Sequence, residues 1–219
     1  MTATDAPKQL DKKGRSLKYT WIGRIGEEHL LVELDTLRVV RTLVERSTFD
    51  EQRLQVGSVL ELVDVKHDFI SDQARPELLL ASDFFFAPNT LSKRRLIKTL
   101  KQLSISSVEP SPWRHGLSTS YSLFDGSTPS VCVVELKKKV ALFKNGRDGE
   151  NHVGFNWNGI FQSFPFSKAL DATLKLELTD RATNKKTIKR TLGFYPRYVV
   201  IAYSLPHDGY CKKLAVALF

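Results

Sequence analysis

Lysine and arginine side chains recur in short clusters along the second half of the chain, and folding could bring several of them onto one surface. Such cations bind phosphate groups, because each neutralised phosphate of a nucleic acid releases condensed counterions. The alternative is a solvated basic face without a partner. Lys212 and Lys213 lie just before or at the start of the last predicted strand. The predicted phosphate-binding residues are Lys93, Arg94, Arg95, Lys98, Lys101, Lys137, Lys138, Lys139, Lys185, Lys186, Lys189 and Arg190.

Aromatic residues are dense in the stretch GFNWNGIFQSFPF, residues 154–166, where five rings lie among Gly, Asn and Pro. Strand alternation breaks after Trp157, so we expect a loop in which some of the rings stay exposed. Exposed rings among cations stack on the bases of single strands. Trp157 and Phe161 are therefore the predicted stacking residues, whereas most other aromatics are expected in the core.

A second pattern places Asp125 ten residues before Glu135, and Lys137 follows it. Alternation on a strand puts Glu135 and Lys137 on one face. Over residues 125–137 this resembles the signature of the PD-(D/E)xK nucleases. Phe124 stands where that family has a proline, and the family's flanking helices are not apparent.

The resemblance implies a catalytic role for Asp125, Glu135 and Lys137, with both carboxylates holding Mg²⁺ and the lysine assisting the attacking water. This enzyme is the alternative to non-catalytic binding, and outside it we predict no cofactor. The five histidines are widely scattered and no Cys/His group has zinc-ligand spacing, which argues against a metal site. Motifs for nucleotide, hydrolase and metalloprotease sites do not occur.

The compartment is predicted from the low cysteine content and from the lack of an apolar targeting or membrane segment. There are only two cysteines, which suits a reducing compartment. The N-terminal stretch has no apolar segment typical of a signal peptide, and no apolar run reaches the roughly 18 residues of a membrane span. We expect a cytoplasmic, nucleoid or nuclear protein that is not secreted and has no membrane partner.

Hydrophobic periodicity predicts a mainly β fold with one good helix. The helix, at 90–104, has Ser92 as its cap and an apolar face made by Leu96, Ile97, Leu100 and Leu103. Strands are predicted at 17–25, twice within 29–44, and at 57–65, 76–88, 119–124, 130–136, 139–144, 152–157, 172–179, 186–192, 197–203 and 212–219.

Charge divides the chain into regions of opposite sign. Residues 1–20 contain five basic and two acidic side chains, for a net charge of +3. Residues 21–90 contain seven basic and thirteen acidic side chains (−6), and residues 91–219 contain twenty-one basic and nine acidic side chains (+12). Such segregation indicates regions that face different partners. The predicted organisation is a disordered basic tail (1–16), an acidic barrel-like module of OB or SH3-like type (17–89), a connecting basic amphipathic helix (90–104), a linker (105–116) and a basic antiparallel β-sandwich or barrel (117–219).

The favoured function is that of a non-catalytic nucleic-acid-binding subunit of a larger assembly. The helix and the C-terminal module would contact phosphates, and residues 17–89 would contact a protein partner or a second copy. The third possibility is a structural assembly protein, as in a phage or a secretion machine, whose basic face docks an acidic protein.

Overall fold

The computed structural model describes residues 17–45, 54–67, 72–105, 113, 116–137 and 139–219. The predicted tail at 1–16 lies outside the described residues. Strands account for 44% of the chain and helices for 17%, and the sheets curl into half-barrels, which confirms the predicted mainly β class with barrel or sandwich packing. The chain divides into two compact units. The second unit comprises Arg24–Gly26, Asp72–Pro76 and Leu100–Phe219, and the first unit comprises the rest.

The first unit is built on one seven-stranded sheet. Its strands are β1 (Lys18–Ile25), β2 (Glu28–Glu33), β3 (Val39–Val44), β4 (Val59–Val63), β5 (Lys66–His67), β6 (Leu78–Ala81) and β7 (Asp83–Phe86). Their order across the sheet is β5-β6-β3-β2-β1-β4-β7. β3 and β6 run parallel, whereas β1 with β4 and β4 with β7 are antiparallel. Aliphatic and aromatic side chains of these strands form a core.

The predicted strands of this unit are present, with one split. The region 29–44 forms the two expected strands, β2 and β3, joined by a turn in which Leu37 has a φ of 57°. The predicted strand 76–88 divides at Ser82 into β6 and β7. The Ser82 amide donates to the Val63 carbonyl at 3.0 Å, which ties the division point to β4.

One cation of the first unit is completely buried. The Arg41 Nη1 atom lies 2.7 Å from Glu28 Oε2, and its Nε atom lies 3.4 Å from Glu77 Oε1. Both glutamates are also buried. These three charges therefore belong to the interior and not to the surface.

The predicted amphipathic helix is confirmed as α1 (Lys93–Leu103). The Arg95 amide donates to Ser92 Oγ at 3.4 Å, so Ser92 caps the helix as expected. Leu96 and Leu100 are buried, and Ile97 and Leu103 are partly buried. The cations on the other faces stay exposed.

The second unit contains two sheets. The strands of the five-stranded sheet are β8 (Ser104–Ile105), β9 (Ser118–Ser120), β10 (Val131–Glu135), β14 (Tyr198–Tyr203) and β15 (Tyr210–Leu218), in the order β8-β10-β14-β15-β9. The three-stranded sheet consists of β11 (Val140–Lys144), β12 (Asn151–Trp157) and β13 (Ile160–Pro165), in that order. An isolated bridge between Phe166 and Ala215 connects the end of β13 to β15.

Two predicted strands of the second unit are wrong, because one region is the end of a helix followed by a segment without secondary structure and the other is a helix. The residues predicted as strand 172–179 begin inside α2 (Lys168–Leu174) and continue without a ladder. The predicted strand 186–192 is α3 (Lys185–Leu192). Leu174, Leu176 and Leu178 pack against the core, so the alternation of apolar residues that predicted a strand here reflects burial of one side of the segment and not pairing with another strand.

Two smaller departures concern turns. Residues 119–124 form β9 followed by a 3₁₀ turn at Tyr121–Leu123. The aromatic stretch expected to be a loop is a hairpin of β12 and β13, whose turn residues Asn158 and Gly159 have φ values of 51° and 84°. Asn-Gly is the residue pair that a two-residue hairpin turn with positive φ favours. The break in alternation after Trp157 therefore marks a turn.

The predicted linker contains a residue of the second core. Trp113 is buried, and its Nε1 donates to the Pro129 carbonyl at 3.2 Å. Lys213 is also buried, and its Nζ donates to the carbonyls of Trp113 at 3.1 Å and Gly116 at 2.9 Å. Lys213 is therefore held inside the protein and does not belong to the exposed basic surface.

Candidate functional site

Helix α3 presents four cations to solvent, and the helix is held by caps at both ends and by one buried side chain. The Asn184 side chain accepts from the Thr187 amide at 2.9 Å and caps its start, and Gly193 ends it in the left-handed conformation. Ile188 is buried and anchors the helix to the core. The four exposed residues are Lys185, Lys186, Lys189 and Arg190.

The start of α3 lies beside β11, the edge strand of the three-stranded sheet. Thr183 Oγ1 accepts from the Leu142 amide at 3.0 Å and donates to the Leu142 carbonyl at 2.9 Å. The Val140 amide donates to the Tyr195 hydroxyl at 3.1 Å, and the Lys185 ammonium lies 5.1 Å from the centre of the Tyr195 ring. These contacts place the start of α3 beside the start of β11, where Lys139 immediately precedes Val140.

The other predicted cations are also exposed where the structure describes them. Lys137 is 64% exposed and lies 3.8 Å from Glu135 Oε2. Lys138 lies outside the described residues. Within the described part of the chain, Lys137 is the only predicted phosphate-binding cation that has a carboxylate within 4 Å. On α1, Lys93, Arg94, Arg95 and Lys98 belong to the first unit and Lys101 to the second.

The outer face of the three-stranded sheet carries two aromatic rings that meet over a glycine. An ideal Cβ atom built on Gly154 would lie 2.5 Å from Cζ of Phe161 and 3.0 Å from Cε1 of Phe143. Phe161 remains 59% exposed. Phe143 stacks on the His152 ring, with 5.7 Å between centroids and 29° between planes.

The structure corrects the prediction for Trp157. Its side chain is 2% exposed and packs against Phe155 and Phe164 in the core, so it cannot stack on a base. Strand alternation explains the difference, because Val153, Phe155 and Trp157 point inward, whereas Gly154 and Asn156 lie on the outer face. Of the five aromatics in the stretch, Phe161 is the exposed one and the other four are buried.

The residues suggested by the nuclease resemblance have local roles. Asp125 Oδ1 accepts from Ser127 Oγ at 2.7 Å and from the Ser127 amide at 2.9 Å. These two hydrogen bonds, with the hydroxyl first, lower the pKa of the fully exposed Asp125. Glu135 faces Lys137 across 3.8 Å.

A different group of metal-type ligands lies on the hairpin that joins β11 and β12. Among the described residues, Asp148, Glu150 and His152 form the one group of three or more such side chains whose ligand atoms lie within 4.8 Å of one another. The sequence analysis missed it, although alternate Asp, Glu and His residues flank the Asp148-Gly149 turn. His152 Nε2 is already engaged by Asp148 Oδ2 at 3.0 Å, and its buried Nδ1 lacks a partner among the described residues. A metal-bound histidine normally donates its second ring N–H, so the fit to a metal is poor.

Comparisons of the chain with protein-family models, with curated proteins and with solved structures find no match. In the part of the chain that the structure describes, the helices are too short or too polar to cross a membrane.

Proposed function

We propose that this chain is a non-catalytic nucleic-acid-binding subunit of a larger assembly, in which α1 and the second unit contact phosphates and residues 17–89 contact protein. The observation that carries the proposal is the set of exposed cations on α3 and at the start of β11. Most of them lack a neutralising carboxylate nearby, so their charge remains available to a polyanion.

The electrostatics of the helices support the proposal. Helices favour acidic residues in their first turn, because the amide dipoles place positive charge there. Neither α1 nor α3 has an acidic residue in its first turn, and both begin with lysines. Lys185 and Lys189 are also spaced as like-charged neighbours, an arrangement that disfavours a helix by about 0.2–0.5 kcal/mol. A bound polyanion would relieve both repulsions.

The proposal is tested by removing these charges in pairs. We expect Lys185→Gln with Lys189→Gln to weaken binding to a single-stranded oligothymidylate at low salt. If both lysines contact phosphate, the slope of log K against log salt should fall by about 1.4, since each contact contributes about 0.7 for a single strand. Fluorescence anisotropy across a salt series measures both quantities.

The matched control removes the same charge from the first unit, as Lys18→Gln with Lys66→Gln. Both of these lysines are exposed. The control should keep the wild-type slope. Equal loss in the two double variants would show that net charge alone matters and would contradict the proposed site. The α3 variant should be folded with little change in stability, because removal of the like-charge pair is offset by loss of the contact between Lys185 and the Tyr195 ring.

The first unit offers a surface suited to protein contacts. β7 is an edge of the described seven-stranded sheet, and Phe85 on it is 49% exposed. Exposed aromatic side chains are enriched in the centres of protein–protein interfaces. The simplest partner to test is a second copy: sedimentation velocity should show concentration-dependent association that Phe85→Lys abolishes. A wild-type chain that remains monomeric at every concentration, or a variant that associates equally well, would rule out self-association through β7.

A further inference from the structure

The outer face of the three-stranded sheet has a row of small residues that two rings partly cover. The register aligns Ala141 with Gly154 and Gly154 with Ser163, so one row across the three strands contains only small residues. Phe143 lies two residues from Ala141 on β11, and Phe161 lies two residues from Ser163 on β13. Both rings reach over Gly154, and Phe161 presents an aromatic surface to solvent.

The two rings are held in place but not covered. Phe143 stacks on the buried His152, and both phenyl rings rest on Gly154. A ring that covers a glycine in a sheet also stabilises the strand, which is a purely structural explanation for Phe161. That explanation does not account for the 59% of Phe161 that stays exposed beside Ile160, which is itself 66% exposed.

Cations lie at the same end of this sheet as Phe161. Val140 pairs with Phe155, and the next residue of β12, Asn156, pairs with Phe161. Lys139 precedes Val140, and Lys185 is held near it through Tyr195. β11 and β13 are two strand spacings apart, or about 10 Å. One nucleotide can span that distance, with its phosphate near β11 and its base over β13.

We infer that this face, which we call the ring platform (Phe143, Gly154 and Phe161), stacks unpaired bases, so that the ligand is a single-stranded nucleic acid. The inference rests on the proposed function and adds the strandedness of the ligand. Aromatic stacking accepts any base, because every base has a π-face. In a duplex the faces of the bases are covered by their neighbours, so a duplex can use only the cations.

Phe161→Ala tests the inference, with Ile160→Ala as the matched control on the neighbouring exposed position. Wild-type protein should bind oligothymidylate more tightly than the same sequence in duplex with oligoadenylate, at equal salt. Phe161→Ala should weaken single-strand binding by about 5- to 150-fold, the range for one stacked base. It should leave the salt slope and the duplex affinity unchanged, because the phosphate contacts remain. Phe161→Trp should retain single-strand binding.

The outcomes separate the inference from the proposed function. Wild-type protein that fails to bind either oligonucleotide at low salt removes both. Salt-dependent binding that is lost in the Lys185→Gln/Lys189→Gln variant, but is unaffected by Phe161→Ala, overturns the ring platform alone. Equal losses in the Ile160 and Phe161 variants, or tighter binding of the duplex, also overturn it. Loss of the ring over Gly154 should lower the thermal unfolding temperature slightly, so retained duplex binding is the check that the Phe161 variant is folded.

Discussion

The two units bury a cation in different ways. In the first unit, Arg41 lies between the carboxylates of Glu28 and Glu77, so its charge is balanced by side chains. In the second unit, Lys213 donates to the backbone carbonyls of Trp113 and Gly116, and its ammonium lies 5.9 Å from the centre of the Tyr203 ring. Arg41 connects strands of one sheet, whereas Lys213 holds the backbone at Trp113 and Gly116 against β15.

This comparison separates charges that hold the fold from charges that are available to a partner. When the buried Arg41, Glu28 and Glu77 are left out of the count, the net charge of residues 21–90 changes from −6 to −5. When the buried Lys213 is left out, the net charge of residues 91–219 changes from +12 to +11. The contrast between an acidic first part and a basic second part therefore survives. The exposed cations of α1 and α3 contribute little to packing, which leaves them free for binding.

The largest effect is expected from breaking the first buried cluster. Arg41→Met leaves two buried carboxylates without their cation, and we expect it to lower the free energy of unfolding by about 3–5 kcal/mol. Urea unfolding measures the change. Arg38→Met, which removes an exposed arginine from the same unit, should stay within about 0.5 kcal/mol of wild type. Equal effects of the two variants would mean that Arg41 contributes no more than a surface charge.

A smaller effect should appear as a pH dependence that belongs to the second unit. Burial lowers the pKa of Lys213 from 10.5 to about 8. Between these values the unfolded chain binds more protons than the folded chain, so the stability contributed by this group rises with pH. The rise amounts to at most about 3 kcal/mol. It should be absent from Lys213→Met, which is otherwise destabilised because two carbonyls lose their donor.

The measurement is the difference in unfolding free energy between wild type and Lys213→Met from pH 7 to pH 9, an interval that covers about one pH unit of the rise, or about 1.4 kcal/mol. Taking the difference matters because burial raises the pKa values of Cys132 and Tyr203, and these groups lower stability as pH increases above their ordinary values. A difference that is constant with pH would show that Lys213 keeps its proton and would weaken the contrast with Arg41.

Sequence patterns predicted the strands well where buried and exposed residues alternate, and poorly where helix caps or a tight turn determine the local structure. The mainly β class and α1 with its Ser92 cap were readable from periodicity. Residues 186–192 were predicted as one of several short, regularly spaced strands, although Asn184 and Gly193 stand at the two ends of α3 as helix caps. Tertiary burial of one apolar residue per turn was enough to favour the helix.

The candidate site was only partly predictable for a related reason. Exposure of the lysines on α3 followed from their charge, whereas the choice between Trp157 and Phe161 depends on which face of β12 and β13 points inward. Recognising the Asn158-Gly159 turn would have assigned that hairpin from the sequence. The inward orientation of Lys213 could also have been predicted, because Lys213 lies two residues from both Cys211 and Ala215 and therefore shares their buried face of β15. The meeting of two rings over Gly154 depends on cross-strand register, which no single segment specifies.

The central claim is that the exposed cations bind a polyanion, and the salt dependence of wild-type binding tests it most directly. We predict that the protein binds single-stranded oligothymidylate at low salt and that log K falls linearly with log salt, with a slope whose size is about 0.7 per phosphate contacted. Failure to bind at the lowest salt, or an affinity that does not change as salt increases, would contradict the account.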